Sequence, residues 1–219
     1  MAQRTIEIIH LPGLTKYEAA LALQKERRAA VEEGRAENTL LLVEHAAVFT
    51  LGRNFHPENL LLGEEALAAR DIAVSQADRG GDVTYHGPGQ LVAYPILNLT
   101  QWKPSIRWYL RSLEQVLINQ LRAYGLEAGR EEGLTGVWVG GAKVAAIGIG
   151  LHNWVTYHGI ALNVDPDMDL FRLIVPCGIF EKPVASLRQL LGTPPTMQQA
   201  IADFERAFLD YFVEWKENG

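Results

Sequence analysis

Between Gly136 and Val164 the chain passes through three β-prone runs, Gly136–Val139, Lys143–Leu151 and Val155–Val164, separated by a Gly140-Gly141 turn and by a short turn around Trp154. Links this short join antiparallel neighbours, since a parallel crossover needs a dozen residues or more. The stretch is read as an antiparallel meander, and the rest of the fold must be built around it.

Three helices are predicted outside it. Thr15 is expected to cap the first, from about Lys16 to Glu33, where Tyr17, Ala20, Leu21, Gln24 and Val31 keep helical spacing and Gly34 follows the last turn. The second runs from about Ser105 to Tyr124 on the stripe Ile106, Tyr109, Leu110, Leu113, Val116, Leu117 and Leu121, with Gly125 as its stop. The third runs from about Met197 to Trp215 and carries Ile201, Phe204, Phe208, Tyr211 and Phe212 toward a core. Leu40–Val43, Val48–Leu51 and Ile72–Ser75 read as further strands. Helices and strands intermix without a regular βαβ rhythm, which predicts an α/β (α+β) fold of mixed, largely antiparallel sheets packed with helices. At 219 residues with neither a linker nor a repeat, one domain over 1–219 is expected.

Composition removes several functions. The longest apolar runs fall short of the roughly 20 residues a membrane-spanning helix needs, and the N-terminus lacks a signal-peptide layout, so a cytoplasmic protein without membrane partners is expected. A net charge of −6 weighs against nucleic acid as a partner. The single cysteine can form neither an internal disulfide nor a thiolate cage. His10, His45, His56, His152 and His158 show no metal-ligand spacing, so no metal is expected.

Four features could carry chemistry. Arg79 to Leu91, RGGDVTYHGPGQL, crowds glycine and proline around Val83-Thr84-Tyr85 and puts Arg79, Tyr85 and His86 beside closely approachable backbone; it could equally be a tight turn between strands. Pro176-Cys177-Gly178 ends a strand-like Leu-Ile-Val run, a bend that can present a thiol, although a lone intracellular cysteine is more often an inert core residue. Lys143 opens the apolar run VAAIGIGL, where it is either a surface lysine beside a turn or a partly desolvated cation able to stabilise a thiolate. Gly148, Gly150 and Gly159, flanked by Ala145, Ala146, Ile147, Ile160 and Ala161, leave either a narrow apolar slot for an unbranched chain or a sheet bend or bulge.

These segments resemble the lipoyl(octanoyl) transferase family, related in fold to biotin and lipoate protein ligase catalytic domains. The likeness rests on Leu51-Gly52-Arg53, RGGDVTYHGPGQLVAYPI from Arg79 to Ile96, GVWVGGAKVAAIGI from Gly136 to Ile149, YHGIALNV from Tyr157 to Val164, and PCGI from Pro176 to Ile179, over a core of about 40–190. The resemblance implies that Cys177 is the acyl-thioester nucleophile and Lys143 the lysine that lowers its pKa. It implies an acyl pocket lined by Arg79, Gly80, Gly81, Asp82, Val83, Thr84, Tyr85 and His86, with Ala146, Ile147, Gly148, Gly159, Ile160 and Ala161 forming the rest of the wall. Octanoyl-acyl carrier protein would be the donor, and apo lipoyl domains of 2-oxoacid dehydrogenase E2 subunits and glycine cleavage H protein the acceptors, with no cofactor. Lys25, Arg27 and Arg28, or Arg107 and Arg111, are candidate docking cations. One departure stands out: Ala185 precedes Ser186-Leu187 where the family often has threonine, which puts in doubt a supporting hydroxyl near Cys177.

Overall fold

The computed structural model describes residues 4–175 and 182–215; Cys177 lies outside the described residues. The meander forms as the turn lengths require. Strands β8 (Val137–Val139), β9 (Ala142–His152) and β10 (Val155–Asn163) pair antiparallel in succession. They belong to a seven-stranded sheet of order β1-β2-β6-β10-β9-β8-β7, completed by β1 (Ile6–Thr15), β2 (Asn38–His45), β6 (Gln90–Ile96) and β7 (Ala128–Gly129). Among the described residues only β1 and β2 run parallel within it. A second sheet of order β4-β3-β5 contains β3 (Val48–Leu51), β4 (Ala73–Gln76) and β5 (Val83–His86). The sheets are mixed and largely antiparallel, as expected.

Period-two alternation gives the large sheet two apolar faces. Leu40, Leu42, Leu91, Ala93, Ile160 and Leu162 face α3 (Ile106–Ala123) and α5 (Met197–Val213), where Leu113, Leu117 and Leu121 meet Phe204, Phe208 and Phe212. Leu41, Val43, Val92, Tyr94 and Ala161 face α1 (Tyr17–Glu32), packing on Ala20 and Val31. The second sheet closes its own core, Phe49, Leu51, Val83 and Tyr85, under α2 (Glu64–Ala68).

Several local expectations are corrected. Lys16, not Thr15, occupies the cap of α1 and makes no side-chain cap bond, while the Thr15 hydroxyl donates to Pro12 O at 3.4 Å. Ile106 is exposed rather than core, because it sits in the first turn of α3, before the helix reaches the sheet. Strand β1 was not expected: its partial burial alternates irregularly and a register shift separates His10 from Leu14, so the period-two signal is broken. Helix α4 (Leu187–Leu191) was also unforeseen, although Ser186 and Gln189 form a capping box visible as S-x-x-Q.

Candidate active site

A cavity of about 390 Å³ opens beside β9 and β10. Its floor is set by register: Ala146 stands opposite Ala161 and Gly148 opposite Gly159, four small residues on one patch of sheet where larger side chains would fill the space. Val83, Thr84 and His86 of β5 and Arg79, Gly80 and Gly81 of the loop before it line the cavity, and Ile147, Ile160 and Lys143 also reach it.

Two residues expected in the wall are elsewhere. Asp82 is buried behind the loop, its carboxylate accepting from the Val83 amide at 2.7 Å, the His56 amide at 3.2 Å and the Asn59 side chain, so it fixes the loop rather than facing the cavity. Tyr85 points into the core of the second sheet against Phe49 and Phe171, where burial pushes its hydroxyl up to about 12. The alternation within β5 turns Thr84 and His86 toward the cavity and Tyr85 into the core; Val83, on the Tyr85 face and in the same core, still borders the cavity at the start of the strand.

The glycines answer mainly to protein neighbours. A Cβ on Gly150 would meet the Tyr157 ring at 2.4 Å, and one on Gly159 would meet Ala93 O at 2.3 Å and Pro95 Cδ at 2.7 Å. On Gly148 it would come within 3.0 Å of Gly80 O and 3.1 Å of Arg79 Cδ. Gly148 and Gly159 still border the cavity, whereas Gly150 does not. Gly52 has the same logic: its missing Cβ admits Gly81 O and the Arg79 guanidinium, which explains the Leu51-Gly52-Arg53 motif.

Arg79 is held rigidly. Its Nη2 donates to Thr50 O at 2.7 Å and Thr50 Oγ1 at 2.9 Å, and Nη1 to Gly80 O at 3.1 Å. Beside it lies a cluster that sequence spacing did not assemble: Tyr17, His45, His86, Tyr94 and His158. All three imidazoles are held below their ordinary pKa by burial: His45 is shifted down, His86 well down, and His158 to about 4. The His45 Nδ1–H donates to Thr15 O at 2.9 Å, so its Nε2 accepts the Tyr94 hydroxyl at 2.7 Å. His158 donates from Nε2 to Asp78 at 2.8 Å; burial opposes the Asp78 charge, but bonds from His158 and Tyr157 hold its carboxyl below the usual range. Tyr17 stacks on His86 with ring centroids 6.3 Å apart, and its buried hydroxyl has no hydrogen-bond partner among the described residues.

A polar chain connects this cluster to the segment beyond Cys177. Gln90 Nε2 donates to Tyr85 O at 3.2 Å and to Asn163 Oδ1 at 2.9 Å, which leaves Gln90 Oε1 to accept from His86 Nδ1–H at 2.7 Å. Asn163 Nδ2 then donates to Ala185 O at 3.1 Å. Ala185 N donates to Lys143 O at 2.9 Å, and Lys143 N to Pro183 O at 2.8 Å. Position 185 is therefore held through its backbone on both sides, and these bonds need no side-chain hydroxyl there. On the other side of Cys177 in sequence, Val175 N donates to Asn59 O at 2.8 Å. Phe171 and Val184, which flank the undescribed segment, both line the cavity.

The suggested docking cations are largely engaged. Arg27 is bidentate on Glu7, Arg28 lies near Glu32 and over Tyr157, and Arg111 bonds the buried Glu114. Among the described residues no helix is long and apolar enough to cross a membrane.

The architecture defines a class. It superposes on a bi-partite lipoate protein ligase from Thermoplasma acidophilum with a TM-score of 0.71 at 16% identity, over 98% of this chain and 87% of that one. A biotin protein ligase from Aquifex aeolicus gives 0.56 at 14% identity, over 97% and 71%. Sequence narrows the class. Residues 16–209 match the lipoyl protein ligase A/B catalytic domain, and the chain belongs to that family. It is 50% identical over 200 residues to an octanoyltransferase of Solibacter usitatus, covering 91% of this chain and 90% of that protein. It is 48% identical over 194 residues to an octanoyltransferase of Chloroflexus aurantiacus, covering 87% of each.

Proposed function

We propose that this chain is an octanoyltransferase of protein lipoylation that works through a thioester on Cys177, within one catalytic domain in the cytoplasm. The activity is that of its relatives at up to 50% identity over nearly their whole length. The observation that carries the mechanism is at Lys143. It lines the cavity, and the chain returning from Cys177 is bonded to the Lys143 backbone at Pro183 and Ala185.

The donor is octanoyl-acyl carrier protein. The Cys177 thiolate attacks the thioester carbonyl, the new C–S bond replaces the old one, and the Lys143 ammonium passes a proton to the departing thiolate, which leaves as the carrier's thiol. One thioester replaces another, so the step needs no nucleotide. The acceptor lysine of an apo lipoyl domain, on a 2-oxoacid dehydrogenase E2 subunit or glycine cleavage H protein, then attacks as a neutral amine. Neutral Lys143 takes the amine proton, the amide forms, and the Cys177 thiolate is released beside a recharged Lys143. The small-residue floor at Ala146, Gly148, Gly159 and Ala161 suits an unbranched chain.

Intact-protein mass spectrometry tests this directly. Mixed with octanoyl-carrier protein alone, the chain is expected to gain one hydroxylamine-labile octanoyl group, which an apo lipoyl domain then removes. Transfer that requires ATP, or that persists undiminished in Cys177→Ala, would overturn the thioester route in favour of ligase-like adenylation.

A further inference from the structure

Trp138 sits directly opposite Lys143 in the β8–β9 ladder, at a register shift where Val137 pairs with Ala145 and Trp138 with Lys143. Its ring is 3% exposed and lies 4.9 Å from the Lys143 ammonium. The same ring lies 5.1 Å from the ammonium of Lys182, which also pairs with Glu131. Two cations on one buried indole are unusual, because each must give up hydration to sit there and each repels the other. Glu131 offsets the Lys182 charge; the ring face, negative in its quadrupole, attracts both.

The Lys143 stem is confined as well. A Cβ at Gly136 would stand 3.4 Å from Lys143 Cε and 2.7 Å from Ala145 O, so the lysine runs past bare backbone before its ammonium reaches the ring. Gly136 is tied to α3 by a 3.4 Å bond from its amide to Glu114, a buried carboxylate that also accepts from Arg111 and Arg130. The Trp138 indole N–H has no hydrogen-bond partner among the described residues. Its ring is thus placed by packing, with its face engaged by the cations.

We propose that Trp138 is a positioning residue: it holds the Lys143 ammonium at the cavity wall in its charged form, and through Lys182 it also fastens the first described residue after the Cys177 segment. Its bearing on the reaction rests on the Lys143–Cys177 reading above. Its effect on Lys143 can be measured without that reading.

The test uses the full chain labelled with ¹³Cε-lysine, with the Lys143 resonance assigned by its loss in Lys143→Arg. In the wild type the Lys143 ε protons should show an upfield ring-current shift. Trp138→Leu should abolish that shift and lower the Lys143 pKa, by roughly half a unit to one and a half units for a partly desolvated cation–π contact. Trp138→Phe, which keeps an aromatic ring of weaker quadrupole, should fall between the two and carries the test if the Leu variant does not fold. Identical Lys143 titrations in wild type and in every folded Trp138 variant would overturn the proposal. The rate–pH profile of Cys177 alkylation separates the two readings. A profile displaced in Lys143→Ala but unmoved in Trp138→Phe and Trp138→Leu removes Trp138 from the reaction and spares the thioester reading. A profile unmoved in Lys143→Ala as well removes both from it.

Discussion

Gly148 and Gly159 face each other across β9 and β10, yet they are small for different reasons. Gly159 yields to the backbone of β6, where a Cβ would stand 2.3 Å from Ala93 O, while at Gly148 the nearest atoms, Gly80 O and Arg79 Cδ, would stand 3.0 and 3.1 Å away. A backbone carbonyl in a paired strand has little room to move. Gly159→Ala is therefore expected to destabilise the protein by about 1–3 kcal/mol, as overpacking does, and Gly148→Ala by distinctly less. Urea denaturation of the two variants checks this; equal midpoints would show that β6 gives way as readily as the Arg79 loop. Gly159→Val, which would otherwise be the obvious probe of an acyl slot, is expected to report on sheet integrity first.

Tyr17→Phe should have opposite effects on the empty and loaded protein. The Tyr17 hydroxyl is buried at the cavity without a partner among the described residues, and removing an unsatisfied buried hydroxyl is neutral or stabilising, by up to about 1 kcal/mol. Thermal unfolding of the unacylated variant should match or exceed the wild type. If the hydroxyl meets the thioester carbonyl after loading, the variant gains less stability on acylation than the wild type does. A clear loss of stability in the empty Phe variant would show that the hydroxyl already has a partner in solution.

The buried imidazoles predict a stability that falls as the solution is acidified. His158 titrates at about 4 in the folded protein but near 6.5 once unfolded. Between these values the unfolded chain binds the extra proton, so folding stability declines as pH drops from about 6.5 toward 4, by on the order of 3 kcal/mol for this one group, and no further below it. His45 and His86 are shifted in the same direction. Asp78, with its folded pKa lowered, adds a loss at more acidic pH. His158→Asn, which tolerates the backbone φ of +56° at this position, should flatten the decline between pH 6.5 and 4. An unchanged pH–stability curve would show that His158 is not kept neutral by the fold.

Much of this was legible in sequence, and the exceptions have physical causes. The meander and the three long helices carry strong periodicity, and the first two of those helices are followed by glycines, Gly34 and Gly125. Strand β1 interrupts its own alternation, and α4 is too short for an apolar stripe, leaving only its capping box as a signal. In the site, Arg79, His86, Lys143 and the small residues of β9 and β10 were expected together because local motifs hold them. Tyr17, His45, Gln90, Tyr94 and Asn163 were not, because they converge from α1, β2, β6 and β10 only once the sheets are stacked. Tyr85 was misplaced by treating a motif as a continuous lining, when a strand turns alternate side chains away.

Asn163 shows what that convergence does for the site. Its amide joins Gln90, and through it His86, to the carbonyl of Ala185, two residues before α4 and directly beside Lys143. Asn163→Leu keeps the approximate volume but leaves Ala185 O and one Gln90 donor without these partners, at about 1–3 kcal/mol for each buried group left unsatisfied. Asn163→Asp keeps an acceptor for Gln90 but sets a buried carboxylate oxygen against Ala185 O where the donor stood, which adds the cost of an unpaired buried charge. Both variants should therefore unfold at clearly lower urea concentration than the wild type. Both should slow octanoyl transfer, because both free the Ala185 carbonyl from β10 beside Lys143. Wild-type transfer rates in a folded Asn163→Asp protein would show that the two backbone bonds between Lys143 and residues 183 and 185 suffice to hold the returning chain, and that the side-chain relay serves stability alone.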